Sequence, residues 1–266
     1  MKTIRIISTF LFIAILISCS KVPITGRKQV NLLPESDLIS MSLQQYRQII
    51  NSSKVIVGTA DAQQVQTVGK KITDAVVTLL QEQGELSRIA GYQWEYKLIQ
   101  ENEPNAWCLP GGKIAVHTGL LPISKTEAGL AVVMGHEVAH ALARHGNERM
   151  SQALLAQMGG IALSVALSQQ PQQTQDIFNS AYGIGATVGL LLPFSRTQES
   201  EADKIGLILM AIAGYDPNEA IPFWQRMKDE NKGMQVPEFI STHPSDEKRI
   251  EDIKAFIPEA MKYYKK

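Results

Sequence analysis

Cysteine is scarce in this chain, which has only Cys19 and Cys108 among its 266 residues. If Cys19 carries a lipid, no intramolecular disulfide is possible in the mature chain, and the fold must rest on its hydrophobic core. Net charge is absent as well, because 26 Lys and Arg residues balance 26 Asp and Glu residues. This neutrality gives no support to nucleic-acid binding.

Long apolar runs and internal repeats are also missing. The apolar run near the start, from Ile6 to Ile17, is shorter than the ~20 residues that a helix needs to span a bilayer. Two later apolar segments, Met150 to Ser168 and Ile177 to Leu192, are interrupted by polar side chains. We therefore expect buried helices here rather than membrane spans.

Residues His136 to His140 have the pattern H-E-x-x-H. At ~3.6 residues per turn, His136 and His140 share one helical face, so both imidazoles can reach a single metal ion. Glu137 lies beside them and can reach a water molecule on that metal, as a general base must in metal-assisted hydrolysis. The pattern predicts one Zn²⁺ per chain and a zinc-dependent peptidase.

The alternative to a metal site is an ordinary pair of half-buried histidines at the protein surface. However, small or apolar residues surround it, so the helix is expected to be buried on all sides. A buried His-Glu-His cluster without a partner would be costly, and a bound metal relieves that cost. The context therefore favours the metal site.

The first residues have the pattern of a secretory signal, with a short basic start at Met1 to Arg5 and then the apolar run. Leu16-Ile17-Ser18-Cys19 resembles the lipobox of bacterial lipoproteins, whose cysteine is lipidated; an ordinary signal peptide is the alternative. We predict a signal peptide over residues 1–18 and a lipid anchor at Cys19. The expected location is the bacterial cell envelope, on the periplasmic face of the outer membrane.

The remaining chain divides into a tether and one domain. Residues 19–34 are polar and contain Pro23, Gly26 and Pro34, which suits a flexible spacer before a domain over 35–266. Early in the domain, periodicity predicts helices and strands. The helices cover Glu35 to Ile50 and Asp61 to Gln83, and the strands cover Tyr92 to Ile99, Asn105 to Leu109 and Lys113 to Thr118.

The second part of the domain is predicted to be helical. The H-E-x-x-H helix should start at Ser124, with Glu127 as its capping-box partner, and end near Gly146. Further helices are expected over Met150 to Ser168 and Ile177 to Leu192 with a polar link between them, from the capping box of Ser195 and Gln198 to about Gly214, from Asn218 to Glu230, and from Ser245. The pattern predicts a mainly helical α+β fold with a small antiparallel or mixed sheet beside the H-E-x-x-H helix.

A third protein ligand is needed, because catalytic zinc usually takes three such ligands and one water. His145 would point to the opposite side of the helix from His136, which excludes it as a ligand, and the metzincin extension is absent. A carboxylate from a later helix remains, either Glu199 or Glu201. If the ligand is Glu199, Asp203 on the same face could accept a proton from a ligating imidazole. Spacing alone leaves both carboxylates open.

H-E-x-x-H followed about sixty residues later by Glu199-x-x-x-Asp203 resembles the M48 family of zinc peptidases. The likeness covers about residues 60–255 and includes Pro110-Gly111-Gly112 and Thr242-His243-Pro244. It implies a zincin-like (gluzincin) fold and assigns roles to five side chains. These are zinc binding by His136, His140 and Glu199, proton transfer by Glu137, and support of the site by Asp203. The lipobox makes the chain similar to the periplasmic lipoprotein branch of the family.

The predicted function is that of an endopeptidase acting on misfolded or misassembled cell-envelope proteins. The substrate is expected to lie as an added strand along an edge around Asn105, Ala106 and Gly112. His243 or Arg249 could steady the oxyanion, or His243 could take the fourth zinc position.

Three other functions compete with this prediction. The chain could be a non-peptidase metal hydrolase, or a zinc-bound, chaperone-like module that recognises misfolded envelope proteins and cleaves little. It could also be a membrane-embedded peptidase, if residues 150–192 enter a bilayer.

Overall fold

The computed structural model of the protein describes residues 19–158, 171–182, 195–230, 239, 242–243 and 247–265. Within these ranges the chain is mainly helical with two small sheets, which confirms the predicted α+β class. Two hydrophobic clusters fill the interior, the larger of them around the helix that carries H-E-x-x-H. Short 3₁₀ turns cover Leu86–Ile89, Thr118–Leu120, Pro217–Glu219 and Met261–Tyr263.

The first described segment is a hairpin of β1 (Cys19–Lys21) and β2 (Lys28–Val30), paired antiparallel. Val22 is buried in the larger core, and the Gln29 side chain donates a hydrogen bond of 2.5 Å to the carbonyl of Ala143. Residues 19–34 therefore differ from the flexible spacer that their composition favoured. Their polar side chains have partners more than 100 positions away in the sequence, which no local pattern can indicate.

Two long helices follow the hairpin, α1 (Glu35–Ser52) and α2 (Ala60–Glu82). They agree with the predicted helices to within two residues. In α2 the Thr59 side chain caps the first turn by accepting from the Ala62 N–H, and apolar residues at helical spacing form its buried face. Gly84 adopts a φ of 69° beyond its end, a conformation that glycine tolerates without a Cβ penalty.

The second sheet is mixed, as predicted, and has four strands in the order β3 (Val55–Ile56), β4 (Glu95–Ile99), β6 (Lys113–His117) and β5 (Ala106–Leu109). β4 pairs with β6 in parallel, and β5 pairs with β6 antiparallel. Both glycines of the Pro110-Gly111-Gly112 turn have positive φ. Because β5 stands last in the strand order, it is an edge strand of this sheet.

The helix that carries H-E-x-x-H is α4 (Glu127–Ala143), preceded by the short α3 (Leu121–Ser124). Every residue from Gly129 to Ala143 is buried, as predicted. The predicted ends were wrong. Thr126, and not Ser124, caps the helix, with its side chain accepting from the Gly129 N–H. At the other end Arg144 takes a left-handed conformation, with φ 59° and ψ 33°, and stops the helix before Gly146.

Beyond that break, the chain forms α5 (His145–Met158) and then α6 (Pro171–Tyr182). The predicted start at Met150 was too late, because the left-handed Arg144 allows a new helix to begin at His145. The predicted polar link over 169–176 is helical from Pro171 onward. The rest of the two predicted apolar helices, residues 159–168 and 183–192, lies outside the described residues.

The last described elements are α7 (Arg196–Ile212), α8 (Ala220–Glu230) and α9 (Glu247–Ala260). The predicted capping box at α7 is confirmed, with reciprocal hydrogen bonds between Ser195 and Gln198. Among the helices whose residues are described, none combines the length and apolar character that a membrane crossing requires.

α4 and α7 approach each other closely at two glycines. A Cβ on Gly206 would lie 2.9 Å from the backbone nitrogen of His136, and a Cβ on Gly135 would lie 3.0 Å from the carbonyl oxygen of Gly206. Neither position has room for a side chain. This backbone contact brings the first turns of α7 beside the histidines of α4.

Candidate metal centre

Four buried side chains converge between α4 and α7: His136, His140, Glu199 and His243. Each offers one possible ligand atom, and these atoms all lie within 4.8 Å of one another. α4 supplies the two histidines of the motif, α7 supplies the carboxylate, and His243 follows the buried Phe239, against which its ring stacks. Residues that are 107 positions apart in the sequence thus meet in one group.

The separations within this group fit one tetrahedral zinc ion. The Nε2 atoms of His136 and His140 are 3.0 Å apart, and the Glu199 carboxylate lies 3.5 Å and 3.2 Å from them respectively. Two ligands of a tetrahedral zinc with bonds of about 2.0 Å are separated by about 3.3 Å. Two imidazole nitrogens and a carboxylate oxygen are also a donor set that zinc prefers.

Glu137 lies beside this group without belonging to it. Its carboxylate is buried, and Oε1 has no hydrogen-bond partner among the described residues. The nearest ring nitrogen, His243 Nε2, is 3.6 Å from that oxygen. Burial raises the pKa of the Glu137 carboxyl. A buried carboxylate with an unused oxygen is placed to accept a proton from a molecule that enters the site.

Asp203 and Arg249 hold the far side of His136. Asp203 Oδ1 is 2.9 Å from His136 Nδ1, and Arg249 donates to both Asp203 oxygens at 2.8 Å and 2.7 Å. Burial alone would raise the pKa of Asp203, but the charge of Arg249 lowers it below its usual value. The carboxylate therefore stays ionised and fixes the ring of His136 with Nε2 toward the group.

Arg249 differs from the expectation that it could steady an oxyanion. Its guanidinium lies 2.8 Å from Glu199, is bound to Asp203, and stacks on Trp224 at 3.5 Å from the ring centre. These contacts direct it to the two carboxylates of α7. Its position is that of a residue that orients Glu199 and Asp203.

The surroundings shift the pKa values of the two motif histidines in opposite directions. Burial alone would lower the pKa of His136, but the carboxylates of Glu199 and Asp203 raise it to about 9. Burial lowers the pKa of His140 well below its usual value. For Glu199, the charges of His243 and Arg249 outweigh burial and lower the pKa well below its usual value. An ionised carboxylate with a neutral imidazole suits a divalent cation.

A cleft runs from this group to the edge strand β5. Asn105, Ala106 and Cys108 line it on one side, and Glu137 and His140 line it on the other. Of the three residues predicted along the substrate edge, Asn105 and Ala106 thus lie at the cleft. Gly112 does not lie at the cleft. Its carbonyl accepts from the N–H of Glu95 in β4, which lies on the side of β6 away from β5.

Glu199 and Glu201 are separated clearly by the structure. Glu199 enters the four-residue group, whereas Glu201 accepts hydrogen bonds from Arg27 and Thr25 of the N-terminal hairpin and contacts His145 at 3.1 Å. Helical spacing alone had left both carboxylates open. Only the direction of approach of α4 distinguishes them.

His145 is the site residue that sequence reasoning misplaced. It lies outside the four-residue group, but its ring does not point away from the motif: Nδ1 is 2.8 Å from His140 Nδ1. A continuous helix would have carried it to the opposite face, and the left-handed Arg144 returns it. No helical pattern indicates a left-handed residue that is not glycine.

Several named proteins have sequences similar to that of this chain. Mitochondrial metalloendopeptidase OMA1 of Schizosaccharomyces pombe is 41% identical over 177 residues, which cover 66% of this chain and 50% of that protein. Metalloendopeptidase OMA1, mitochondrial, of Homo sapiens is 30% identical over 248 residues, covering 90% of this chain and 46% of that protein. Beta-barrel assembly-enhancing protease of Escherichia coli is 28% identical over 164 residues, covering 60% and 33%. The chain spans about half the length of the first two relatives.

The predicted location is corrected by these relatives. The proteins from fission yeast and human are both named as mitochondrial, which contradicts a bacterial protein on the periplasmic face of the outer membrane. That prediction is wrong. The comparisons likewise give no support to a lipid anchor or to membrane association.

The model of Peptidase family M48 matches residues 40–257, which include every residue of the four-residue group and both glycines of the helix contact. The predicted resemblance is confirmed, and so are the predicted enzyme class, a metallopeptidase, and the predicted zinc. This chain belongs to peptidase family M48.

Proposed function

We propose that this chain is a zinc-dependent endopeptidase that hydrolyses peptide bonds of misfolded or misassembled proteins. The observation that carries the proposal is the buried group of two imidazoles and a carboxylate with the unpartnered oxygen of Glu137 beside it. The relatives support the reaction class, because they are named metalloendopeptidases. The Escherichia coli relative, named as a protease that enhances β-barrel assembly, supports the substrate class.

His136, His140 and Glu199 would hold the zinc ion. When bound, zinc polarises a carbonyl and lowers the pKa of water, which supplies the nucleophile at neutral pH. Asp203 keeps a proton on His136 Nδ1 and so leaves Nε2 free to bind. Arg249 orients Glu199 and Asp203 at the same time.

Glu137 is proposed as the general base. Its carboxylate takes a proton from the attacking water and then passes it to the amine that leaves. A pKa raised by burial suits both steps, because a carboxyl with a pKa nearer to the working pH both accepts and returns a proton readily. Its Oε1 has no hydrogen bond to another described residue that must break first.

The substrate backbone would add to the open edge of β5. In the antiparallel pairing with β6, alternate residues bond to the partner strand, so Ala106 and Cys108 direct their backbone groups to the cleft. The Asn105 side chain already accepts from the Ala106 N–H and limits the length of the added strand. Recognition through main-chain hydrogen bonds suits substrates that share a lack of structure rather than a sequence.

His243 is proposed as a fourth ligand in the resting site. Its Nδ1 lies 2.9 Å from Glu199 and 3.2 Å from His136 Nε2, where it would occupy the position that water needs. Replacement of His243 by alanine should therefore increase the cleavage rate. A fall of about 100-fold in kcat with little change in KM would instead assign His243 to the oxyanion.

The decisive experiment compares Glu137→Gln with Glu127→Gln, a matched change on the same helix outside the site. Both variants should bind zinc, and only Glu137→Gln should lose cleavage of unfolded casein, by several orders of magnitude. Undiminished cleavage by Glu137→Gln would refute the general base. A parent protein that binds zinc and never cleaves casein would support a binding module or a non-peptidase hydrolase.

The Glu137→Gln variant also tests the substrate class. Because it should bind substrates without releasing products, crosslinking in its native compartment followed by mass spectrometry should recover incompletely assembled proteins. Recovery of correctly folded proteins alone would contradict the proposal.

Lipid attachment at Cys19 stays a prediction. Mass spectrometry of the purified protein, compared with a Cys19→Ala variant, would detect the mass of an acyl group on this residue. An unmodified Cys19 would refute it.

A further inference from the structure

A chain of buried polar contacts leads from His140 away from the metal group. His140 Nδ1 lies 2.8 Å from His145 Nδ1, and His145 Nε2 lies 3.1 Å from Glu201 Oε2. All three side chains are at most 5% exposed. A run of buried polar groups of this length is costly unless each donor meets an acceptor.

The donors and acceptors match in one arrangement only. If His140 binds zinc through Nε2, its proton is on Nδ1, so His140 donates to His145 Nδ1. His145 then carries its own proton on Nε2 and donates it to the carboxylate of Glu201. In this arrangement each imidazole carries one proton, on Nδ1 of His140 and on Nε2 of His145.

The N-terminal hairpin holds the end of this chain. Arg27 Nε and Thr25 Oγ1 donate to Glu201 Oε1 at 2.8 Å and 2.9 Å, while the remaining Arg27 nitrogens form a bidentate pair with Glu148 at 2.7 Å and 2.8 Å. Gln198 also donates to Glu148, at 2.7 Å. A planar guanidinium bound on two edges fixes the position of both carboxylates.

The same plan occurs on the other motif histidine. His136 contacts a carboxylate, Asp203, which is bound by the guanidinium of Arg249. His140 contacts its carboxylate, Glu201, through His145, and that carboxylate is bound by the guanidinium of Arg27. Each ligating imidazole thus has an arginine-held carboxylate behind it, one directly and one through a second imidazole.

We propose that Arg27, Glu201 and His145 form a relay that fixes the tautomer and orientation of His140 as a zinc ligand, so that the N-terminal hairpin is part of the metal site. The proposal rests on the proposed zinc site at His136, His140 and Glu199. The three relay members are positioning residues, since none of them contacts the metal group except through His140.

The relay predicts a pattern of zinc affinities, measured by competition with a chromogenic chelator. His145→Phe keeps a flat ring and removes both hydrogen bonds, so zinc affinity should fall about 10- to 100-fold. In His145→Gln, the side-chain amide carries a carbonyl acceptor and an N–H donor on one carbon. This variant should therefore recover most of the lost zinc affinity. Arg27→Leu, which frees Glu201 without touching either histidine, should weaken binding about 10-fold.

Thr73→Val is the control for general destabilisation. It removes another side-chain hydrogen bond, 2.5 Å from Thr73 to Tyr96, on a different part of the fold. Its melting temperature should fall while zinc affinity stays at the parent value. Cobalt absorption spectra of the same variants should change in band position for His145→Phe and Arg27→Leu only, because the geometry at His140 changes.

The outcomes separate the relay from the proposed function. Folded His145→Phe or Arg27→Leu with parent zinc affinity overturns the relay, while zinc binding and casein cleavage by the parent leave the peptidase intact. Loss of affinity in Thr73→Val in step with its melting temperature overturns it as well. If His145→Phe does not fold, Arg27→Leu and the recovery in His145→Gln carry the test. A parent that binds no zinc refutes the proposed function itself.

Discussion

Two glutamates, two positions apart on α7, face different partners. Glu199 lies with the motif histidines, and Glu201 lies with His145 and the N-terminal hairpin. Two glutamates on one helix thus have different surroundings: one lies in the metal group, and the other binds protein donors. Their effects on zinc binding can be compared by substitution.

Glu199→Ala should lose most of its zinc after dialysis against low zinc, because it removes the carboxylate ligand of the four-residue group. Glu201→Ala should keep one zinc per chain at saturating metal and bind it more weakly, since only the relay is lost. Elemental analysis after dialysis against low and high zinc measures both values. Stoichiometric zinc in Glu199→Ala with none in Glu201→Ala would reverse the assignment.

At the scale of single residues, the sequence shows residue types and their spacing, and these suffice to predict a local motif. His136, Glu137 and His140 lie within five positions, so helical geometry alone predicts their shared face. His145 was misplaced because the conformation of Arg144 is set by tertiary contacts. Arg27 carried no signal, since its partners lie 121 and 174 positions later.

Among the elements, the contact between α4 and α7 decides the shape of the site. The contact is backbone against backbone at Gly135 and Gly206, so the distance between the histidines and Glu199 does not depend on the packing of flexible side chains. A methyl group at either glycine would have to move one helix relative to the other.

Gly206→Ala should lower the free energy of unfolding by about 1–3 kcal/mol, because the added Cβ meets the backbone nitrogen of His136 and cannot be accommodated by a rotamer change. Zinc affinity should fall with it, as Glu199 and Asp203 move away from the histidines. Urea unfolding and chelator competition measure the two effects.

Ser200→Ala is the matched control on α7, at a half-buried position of the same helix. It should leave both quantities nearly unchanged, since alanine is a good helix former and the change adds no heavy atom. Equal stability of Gly206→Ala and the parent would show that α4 and α7 can separate without cost.

The elements themselves were predicted with unequal success. α2 has a long helical period and clear caps, and its bounds agree with prediction to within a residue. The strands β1 and β2 have three residues each, too few for a period of two to be visible. The predicted start of α4 was wrong because serine and threonine both cap helices well, and only the turn between Ser124 and Thr126 makes Thr126 the cap.

For the whole molecule, the core is built around a polar centre. His136, Glu137, Glu199 and Asp203 are all at most 7% exposed and lie within the larger hydrophobic cluster. Bound zinc would neutralise part of this buried charge, so metal binding and folding should be coupled.

Removal of zinc by a chelator should lower the melting temperature by several degrees. A ligand that binds only the folded state at 100 times its Kd stabilises it by about 2.7 kcal/mol, and about 1 kcal/mol corresponds to ~2–4 °C for a chain of this size. Differential scanning fluorimetry at several zinc concentrations measures the shift. Glu199→Ala should show a smaller dependence, and a parent melting temperature independent of zinc would contradict the coupling.

The pairing of Arg27 with Glu148 and Glu201 also has a consequence for the order of folding. Its partners are 121 and 174 positions downstream, and contacts that close such long loops form late, because the entropy of loop closure must be overcome first. During synthesis, Arg27 leaves the ribosome well before either carboxylate has been made. The contact of Arg27 with Glu201 and the metal centre therefore both wait for α7, and a nascent chain that stops short of α7 has neither.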